Sequence, residues 1–359
     1  MKASVFREGD RELRVEEVQV DAVGPNELLI QTAAAGVCHS DLNHLNGMFD
    51  IPYPTVLGHE SAGVVVEVGH DVTDFTPGDH VITCLSTFCG KCKECLEGRS
   101  YLCAGDNSRR ATGERSRLRQ SDRTVHQYLN VSSFAEQLLV HESAAVKIRK
   151  EMPLELAALI GCGVTTGMGA VMNRARVEPG QAVAVIGCGG IGISAIQAAR
   201  ISGASRIIAI DLNRDKLDAA KSFGATDTID GNGVDVSAAI RELTDGGVDH
   251  AIEAAGSPRT ATAAVESLGI GGTATIVGLM PAGTTFPVQG RLLLDDRRVQ
   301  GAYMGAMNFR LAMPKYVEMF LDGRLMLEEM VSARIGLDGL NESFRSMEKG
   351  ENLRDIVVF

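Results

Sequence analysis

The chain has 359 residues, 45% hydrophobic but only 4% aromatic, with 40 glycines, no Trp and a formal net charge of −11. That length exceeds one ordinary core and suits two domains, and the negative balance disfavours a nucleic-acid partner, whose phosphates reward basic patches. No apolar stretch is expected to reach the roughly 18 to 20 residues that cross a bilayer, and Met1-Lys2-Ala3-Ser4-Val5 lacks a signal peptide's apolar segment, so a soluble, cytoplasmic protein without a membrane partner is expected.

The first 160 or so residues read as β-rich. Glu27–Gln31 and Gly63–Val68 have strand character, and Thr76-Pro77-Gly78-Asp79 reads as a turn before a strand at His80–Thr83. Arg109, Arg110, Arg115, Arg117, Arg119 and Arg123 face only Asp106, Glu114 and Asp122. Such a run is ordinarily a solvated loop; the sharper alternative is an anion-attracting rim near a substrate entrance. After Pro153 the pattern changes. Leu154–Ile160 predicts a helix. Apolar strands at Val183–Ile186, Arg206–Ile210, Asp249–Glu253 and Thr273–Val277 then alternate with helices at Ile193–Ile201 and Asp215–Phe223. Continuous apolar strands between helices indicate a parallel α/β sheet covered on both faces. A helix over Pro314–Leu321 and a strand over Asp355–Phe359 complete the expectation.

Gly187-Cys-Gly189-Gly190-Ile191-Gly192 fits G-x-G-x-x-G between a strand and a helix. Gly187 permits the tight turn, Gly189 lets the backbone approach a pyrophosphate, and Gly192 lets helix and sheet pack closely. Gly190 and Ile191 open the helix, whose free N–H groups face the phosphates. Taken alone, the run is equally a structural turn. Asp211 stands 19 residues after Gly192, where a carboxylate accepts from ribose hydroxyls and repels the 2′-phosphate of NADP. NAD is therefore expected over NADP, with Arg214 close enough to soften the preference. Val277, ending a strand of the same sheet, is a further expected cofactor contact.

Cys89, Cys92, Cys95 and Cys103 form C-x2-C-x2-C-x7-C. Four thiolates so close in sequence surround one tetrahedral Zn²⁺ with no open position, which makes a structural site, over roughly residues 86–103. The alternative is a redox-sensing thiol cluster. Cys38, His59 with Glu60, and Cys162 lie far apart, and spacing does not join them. A Cys2His set with a fourth water ligand is a known catalytic zinc arrangement, while the bland reading is two buried small residues and a loop histidine.

In chain order, Gly36-Val-Cys-His-Ser-Asp41, Gly58-His-Glu-Ser-Ala-Gly63, the four-cysteine lobe, Gly161-Cys-Gly-Val-Thr-Thr-Gly167 and Gly187–Gly192 resemble the zinc-dependent medium-chain alcohol dehydrogenases, and the resemblance runs to the C-terminal Phe359. It implies a GroES-like β-rich catalytic domain over 1–163 and 304–359, with a Rossmann doubly wound domain over 164–303. It implies two Zn²⁺ per chain, NAD, and a primary or secondary alcohol, aromatic alcohols included, exchanged with its aldehyde or ketone. A homodimer or homotetramer is expected. By motif, Cys38, His59 and Cys162 resemble catalytic zinc ligands, and Glu60 a carboxylate that approaches the metal. Asp41 resembles the group orienting His59, and Ser40 the hydroxyl that receives the substrate proton. His39 and Arg354 match pyrophosphate contacts. Thr166 resembles a nicotinamide-pocket residue, with plain helix packing as its alternative. Many relatives carry a histidine five residues after the first zinc cysteine; here Asn43 stands there and His44 follows. Either His44 takes over proton relay, or water and a ribose hydroxyl finish it, and the second is favoured. The rival readings are a glutathione-dependent formaldehyde dehydrogenase, suggested by Arg123-Thr-Val-His-Gln-Tyr128 to Phe134, and a non-catalytic NAD-binding protein with structural zinc alone.

Overall fold

A computed structural model describes residues 1–105, 108–110 and 114–359; Asp106, one of the acids set against the arginine run, lies outside them. The chain divides into two compact units, Met1–Cys162 with Met307–Phe359, and Gly163–Ala306.

The first unit is built on two six- and seven-stranded sheets. In the larger, Glu27–Gly36 pairs antiparallel with Glu60–Val68, Gln137–His141 and Arg354–Val358. The strand at 27 is twice the expected length because Ala33, Ala34 and Ala35 continue the ladder past Gln31. The turn before His80–Thr83 forms as expected. Asp79 N–H donates to Thr76 O at 3.1 Å, and Gly78 takes the positive φ (+91°) that a type II turn needs at its third residue. Asn308 caps the helix Phe309–Leu321 by accepting from Arg310 N–H at 3.1 Å. Pro314 is therefore inside that helix and does not start it. A cap outranks a proline as a start signal, because it supplies a partner to a free N–H that proline merely lacks.

Arg110 and Arg117 correct the solvated-loop reading. Arg117 is 6% exposed; its Nε donates to Glu27 Oε1 at 2.6 Å and its Nη2 to Ser108 O at 2.6 Å. Arg110 forks onto Glu27 and also reaches Asp21. Burial works to raise the Glu27 carboxyl, but the two guanidiniums outweigh it and bring it down to about 2. These two arginines bolt the segment after the cysteine lobe to the start of the central strand.

The second unit is a six-stranded sheet. Its spatial order is Asp227–Asp230, Arg206–Asp211, Ala182–Ile186, Val248–Glu253, Leu268–Ile276, Arg298–Gly301, and every pair is parallel. Read in sequence order within the sheet, this is 3-2-1-4-5-6, the doubly wound arrangement. Helices Gly190–Ile201, Arg214–Phe223, Val236–Leu243 and Pro258–Glu266 connect the strands. The core is aliphatic, with Ala184, Ile186, Ile208, Ile210 and Ile252 essentially sealed.

The bilayer expectation needs one correction. The continuous helical run Leu154–Ala175 has 22 residues and is apolar enough by composition to cross a membrane, but 89% of its apolar window is buried inside the fold. Its polar content is too dispersed for the sequence to read as one apolar stretch, and its burial marks it as a core helix.

Candidate active site and metal centres

The Cys38 side chain lies at the N-cap of helix His39–Leu45, with Asp41 at the helix's third position. Asp41 is fully buried and serves two elements. It accepts from Cys38 N–H at 3.3 Å, from Gly58 N–H at 3.1 Å, and pairs with His59 Nδ1 at 3.0 Å. The acceptor at Nδ1 fixes a ring proton there, so Nε2 is the nitrogen left to serve a metal. His59 Nε2 has no hydrogen-bond partner among the described residues, although it is buried. Cys162 arrives from the helix following Pro153, in a π-helical turn over Ile160–Val164. Gly161 allows that turn to approach: a Cβ there would stand 3.0 Å from Thr83 O and 3.2 Å from Glu60 Cα.

The donor atoms of Cys38, His59, Glu60 and Cys162 all lie within 4.8 Å of one another, and all four residues are buried. Fold, not spacing, joins them. Cys162 donates to Cys38, and with His59 and Arg354 nearby this holds the Cys38 thiol well below its ordinary range against burial. Cys162 is pushed up correspondingly, first by that shared proton and then by burial. Burial lifts the Glu60 carboxyl to about 8 despite the Arg354 guanidinium paired with it. Gly36 makes room for that pair, since a Cβ would meet both Glu60 and Arg354 closer than 3 Å. Two sulfurs, an imidazole lone pair and a nearby carboxylate suit a borderline-soft dication, and Cys2His leaves a four-coordinate metal one ligand short. The orphaned Nε2 is the observation that the residues fit zinc.

Cys89, Cys92, Cys95 and Cys103 bring their sulfurs within 4.8 Å of one another. Backbone N–H groups aim at them: Cys92 N–H at Cys89 Sγ, and Cys89 and Gly105 N–H at Cys103 Sγ, each at 3.3 Å. Those donors, with four sulfurs, fit a closed zinc site. All eight cysteines are free thiols.

In the second unit, Gly187 adopts φ +98°, and a Cβ at Gly192 would clash with Gly187 O at 1.8 Å, so both glycines are needed for the turn. At Gly189 a Cβ would meet nothing, which leaves its face open to a ligand. Gly190 and Ile191 begin the helix as expected. Asp211 ends its strand and accepts from Cys188 N–H at 2.7 Å and Asn213 N–H at 2.9 Å. A cleft of about 830 Å³ opens here, lined by Gly187, Asp211, Leu212, Val234, Ser257 and Arg259 among others. Motif reading missed Val234, Ser257 and Arg259, which carry no fixed spacing to the glycines. Arg214 pairs with Asp230 at 3.0 Å, which occupies the cation expected to soften the NAD preference. Val277 N–H donates to Glu253 O at 2.8 Å. Thr166 is buried with its hydroxyl 3.7 Å from Met304 Sδ, the helix-packing placement. Arg354, expected at a pyrophosphate, is buried against Glu60, and His39 is exposed at the start of its helix.

His44 is buried. Its ring meets Tyr128 edge-on at 4.5 Å and Phe49 at 4.9 Å, and Nδ1 has no partner among the described residues. Burial, then the charge of His59, lowers it to about 4. It is neutral near pH 7 and exchanges no charge there. His44→Ala is therefore expected to change turnover at pH 7 by less than about tenfold, below the usual scale of an acid–base residue. The folded value lies below the unfolded one, so the native state resists protonation. Stability is lost as pH falls from about 6.5 toward 4, and the variant's melting curves are expected to lack that component. A fall in turnover beyond about 10²-fold would assign His44 to the relay after all.

Hydride transfer needs a nicotinamide and a polarised substrate oxygen. A nucleotide sheet in one unit and an incomplete soft-metal site in the other give this chain the equipment of a metal-dependent dehydrogenase. Its residues 24–150 match the alcohol dehydrogenase GroES-like domain, and 190–321 the zinc-binding dehydrogenase domain. It is 39% identical over 359 residues to an S-(hydroxymethyl)glutathione dehydrogenase of Photobacterium damsela subsp. piscicida, covering 97% of each chain. It is 36% identical over 364 residues to an alcohol dehydrogenase class-3 of Myxine glutinosa, covering 99% of this chain and 97% of that one. The crystal structure of benzyl alcohol dehydrogenase from Acinetobacter calcoaceticus superposes with a TM-score of 0.93 at 33% identity, covering 100% of this chain and 99% of the other. The chain belongs to the zinc-dependent medium-chain alcohol dehydrogenase family and is an NAD-linked oxidoreductase of it.

Proposed function

We propose that the chain oxidises primary or secondary alcohols, aromatic ones included, to aldehydes or ketones with NAD, and catalyses the reverse reduction. The observation that carries this reading is the buried His59 Nε2, left without a partner beside two sulfurs and a carboxylate. Cys38, His59 and Cys162 hold the catalytic zinc, with Glu60 in reach of it, and Cys89, Cys92, Cys95 and Cys103 hold the structural one. When bound, the catalytic ion supplies Lewis acidity to the substrate oxygen, and NAD supplies the hydride acceptor.

The residues around them do the rest. Asp41 fixes the His59 tautomer and ring orientation. Glu60 is kept in place by Arg354. Ser40 would receive the substrate proton and pass it outward without charge exchange at His44, which is neutral near pH 7. His39 and Val277 would contact NAD, while Thr166 packs against Met304 and Arg354 serves Glu60. Gly187, Gly189, Gly190, Ile191 and Gly192 cradle its pyrophosphate, and Asp211 binds the ribose. NAD is preferred to NADP because a carboxylate stands where the 2′-phosphate would lie, and Arg214 is engaged with Asp230.

The catalytic domain covers 1–163 and 304–359 and the Rossmann domain 164–303, supported by the division of contacts at Cys162 and at Met307. The protein works in the cytoplasm as a homodimer or homotetramer, supported by the exposed Ile270, Leu294 and Val299 about the edge strand Arg298–Gly301.

The second reading, a glutathione-adduct dehydrogenase, is favoured by the identity to the Photobacterium relative. Against it, Arg110 and Arg117 are neutralised by Asp21 and Glu27 and offer no net charge to an anionic substrate. A panel of simple and aromatic alcohols, alongside S-(hydroxymethyl)glutathione, with NAD and with NADP, decides. NADH formed from simple alcohols is expected. Turnover confined to the glutathione adduct would replace the first reading with the second, and no turnover with one zinc per chain would leave a binding protein.

A further inference from the structure

Glu253 ends the strand next to the Gly187 turn, on the side of the sheet where the strand order reverses. Open α/β sheets bind nucleotides at that switch point, at the carboxyl ends of the strands. Its side chain is fully buried. Oε1 accepts three hydrogen bonds: from Ala255 N–H at 3.0 Å, from Gly256 N–H at 2.7 Å and from Thr260 Oγ1 at 2.7 Å. Its backbone oxygen accepts two more, from Val277 N–H at 2.8 Å and Gly278 N–H at 3.0 Å. The other carboxylate oxygen, Oε2, has no partner among the described residues and faces Gly278, whose Cβ would stand 2.6 Å away. One residue thus clamps two loops, 254–260 and 277–279. The loops also meet directly, since a Cβ at Gly278 would fall 2.2 Å from Gly256 N.

The first loop walls the nucleotide cleft through Ala255, Ser257 and Arg259. Ala255 also backs the Gly187 turn, where a Cβ would reach its N at 2.9 Å. The three side-chain hydrogen bonds hold the cleft wall beside the glycine turn, while the two to the carbonyl hold 277–278 whatever side chain stands at 253. Nothing in helix capping alone requires this: Ser257 already caps helix Pro258–Glu266, with its side chain accepting from Thr260 N–H at 3.2 Å. A buried, half-satisfied carboxylate costs stability and marks a place held for position.

We propose that Glu253 is a cofactor-positioning residue, whose carboxylate fixes the wall of the nucleotide cleft by holding loop 254–260 against the end of its own strand. This rests on the dinucleotide reading above. Gln at 253 keeps an acceptor for the three donors and Ala removes it, while Thr260→Val deletes one donor together with the contacts its hydroxyl makes to Ser257.

Steady-state kinetics with varied NAD, run on the full-length zinc-loaded enzyme, test it. Glu253→Ala is expected to raise the KM for NAD about tenfold or more, and Glu253→Gln and Thr260→Val less. At saturating NAD, kcat is expected to stay within about twofold and the alcohol KM to stay unchanged. NADH fluorescence titration gives the same ranking in Kd without turnover. If the Ala variant does not fold, the Gln and Val variants carry the test. A loss of kcat and melting temperature with NAD KM and Kd unmoved would make Glu253 merely structural and overturn the proposal. Variants that match the wild type overturn it too, while a wild type that binds neither NAD nor NADP removes the dinucleotide reading and this inference together.

Discussion

Replacing His59 by Ala is expected to reduce alcohol oxidation by at least about 10³-fold and to lower zinc from two ions per chain to one. The size follows from what the site provides. Lewis-acid stabilisation of a developing charge is worth several kcal/mol, and each 1.36 kcal/mol is a factor of ten in rate. His59 is the only nitrogen donor in the set, and the remaining sulfurs and carboxylate are themselves crowded within 4.8 Å. Removing the ring also strands Asp41, which keeps only the Cys38 and Gly58 N–H donors. Asp41→Asn leaves the ring present but poorly oriented, and a smaller loss, about 10- to 100-fold, is expected from it. Elemental analysis beside kcat checks the pair. Retention of both zincs with turnover within tenfold of the wild type would remove His59 from the metal site.

The second large effect is expected at the four-cysteine lobe. Cys95→Ser should also lower zinc to one ion per chain, but the ion lost is the other one. The melting midpoint should fall by at least about 5 °C. The lobe contributes few buried apolar contacts: Leu96 is 75% exposed and Leu102 is 45% exposed, and the helix Lys93–Leu96 buries no residue. Phe88 makes an edge contact with Phe309 at 6.1 Å and lies under the Arg310 guanidinium at 5.2 Å, two ring contacts that tie the lobe to the rest of its unit. The metal is thus the main source of local order. Limited trypsin digestion is expected to cut the variant first at Lys91, Lys93 or Arg99 while the wild type resists. Equal zinc content and an unchanged digestion pattern in the variant would show that the cysteines hold no ion.

These two sites differ in how readily a sequence discloses them. The structural set is legible because its ligands are close neighbours, so chain geometry alone brings four sulfurs together. The catalytic set is joined by tertiary structure: a helix cap at Cys38, a strand entry at His59 and a π-turn at Cys162. Only the resemblance to a family connected them. The four inner strands of the parallel sheet were legible from their apolar runs, whereas the short polar edge strands Asp227–Asp230 and Arg298–Gly301 were not. Three features were not legible. Arg110 and Arg117 find Glu27 across 83 and 90 residues, and charge runs carry no sign of distant partners. Glu253 reads as one acid closing an apolar strand, with nothing local to announce five hydrogen bonds. Pro314 reads as a helix start because the true cap, Asn308, is polar and unremarkable in sequence.

The strand Arg354–Val358 joins the larger sheet of the first unit between Glu27–Gly36 and Val331–Ile335, and its first residue completes the Glu60 pair. During synthesis the first unit therefore waits on a strand made after the whole of the intervening unit, which has all its strands contiguous and can fold as soon as it emerges. A ribosome-bound chain short of Arg354 would carry a finished nucleotide fold and an unfinished zinc pocket, with Glu60 still lacking its counter-ion.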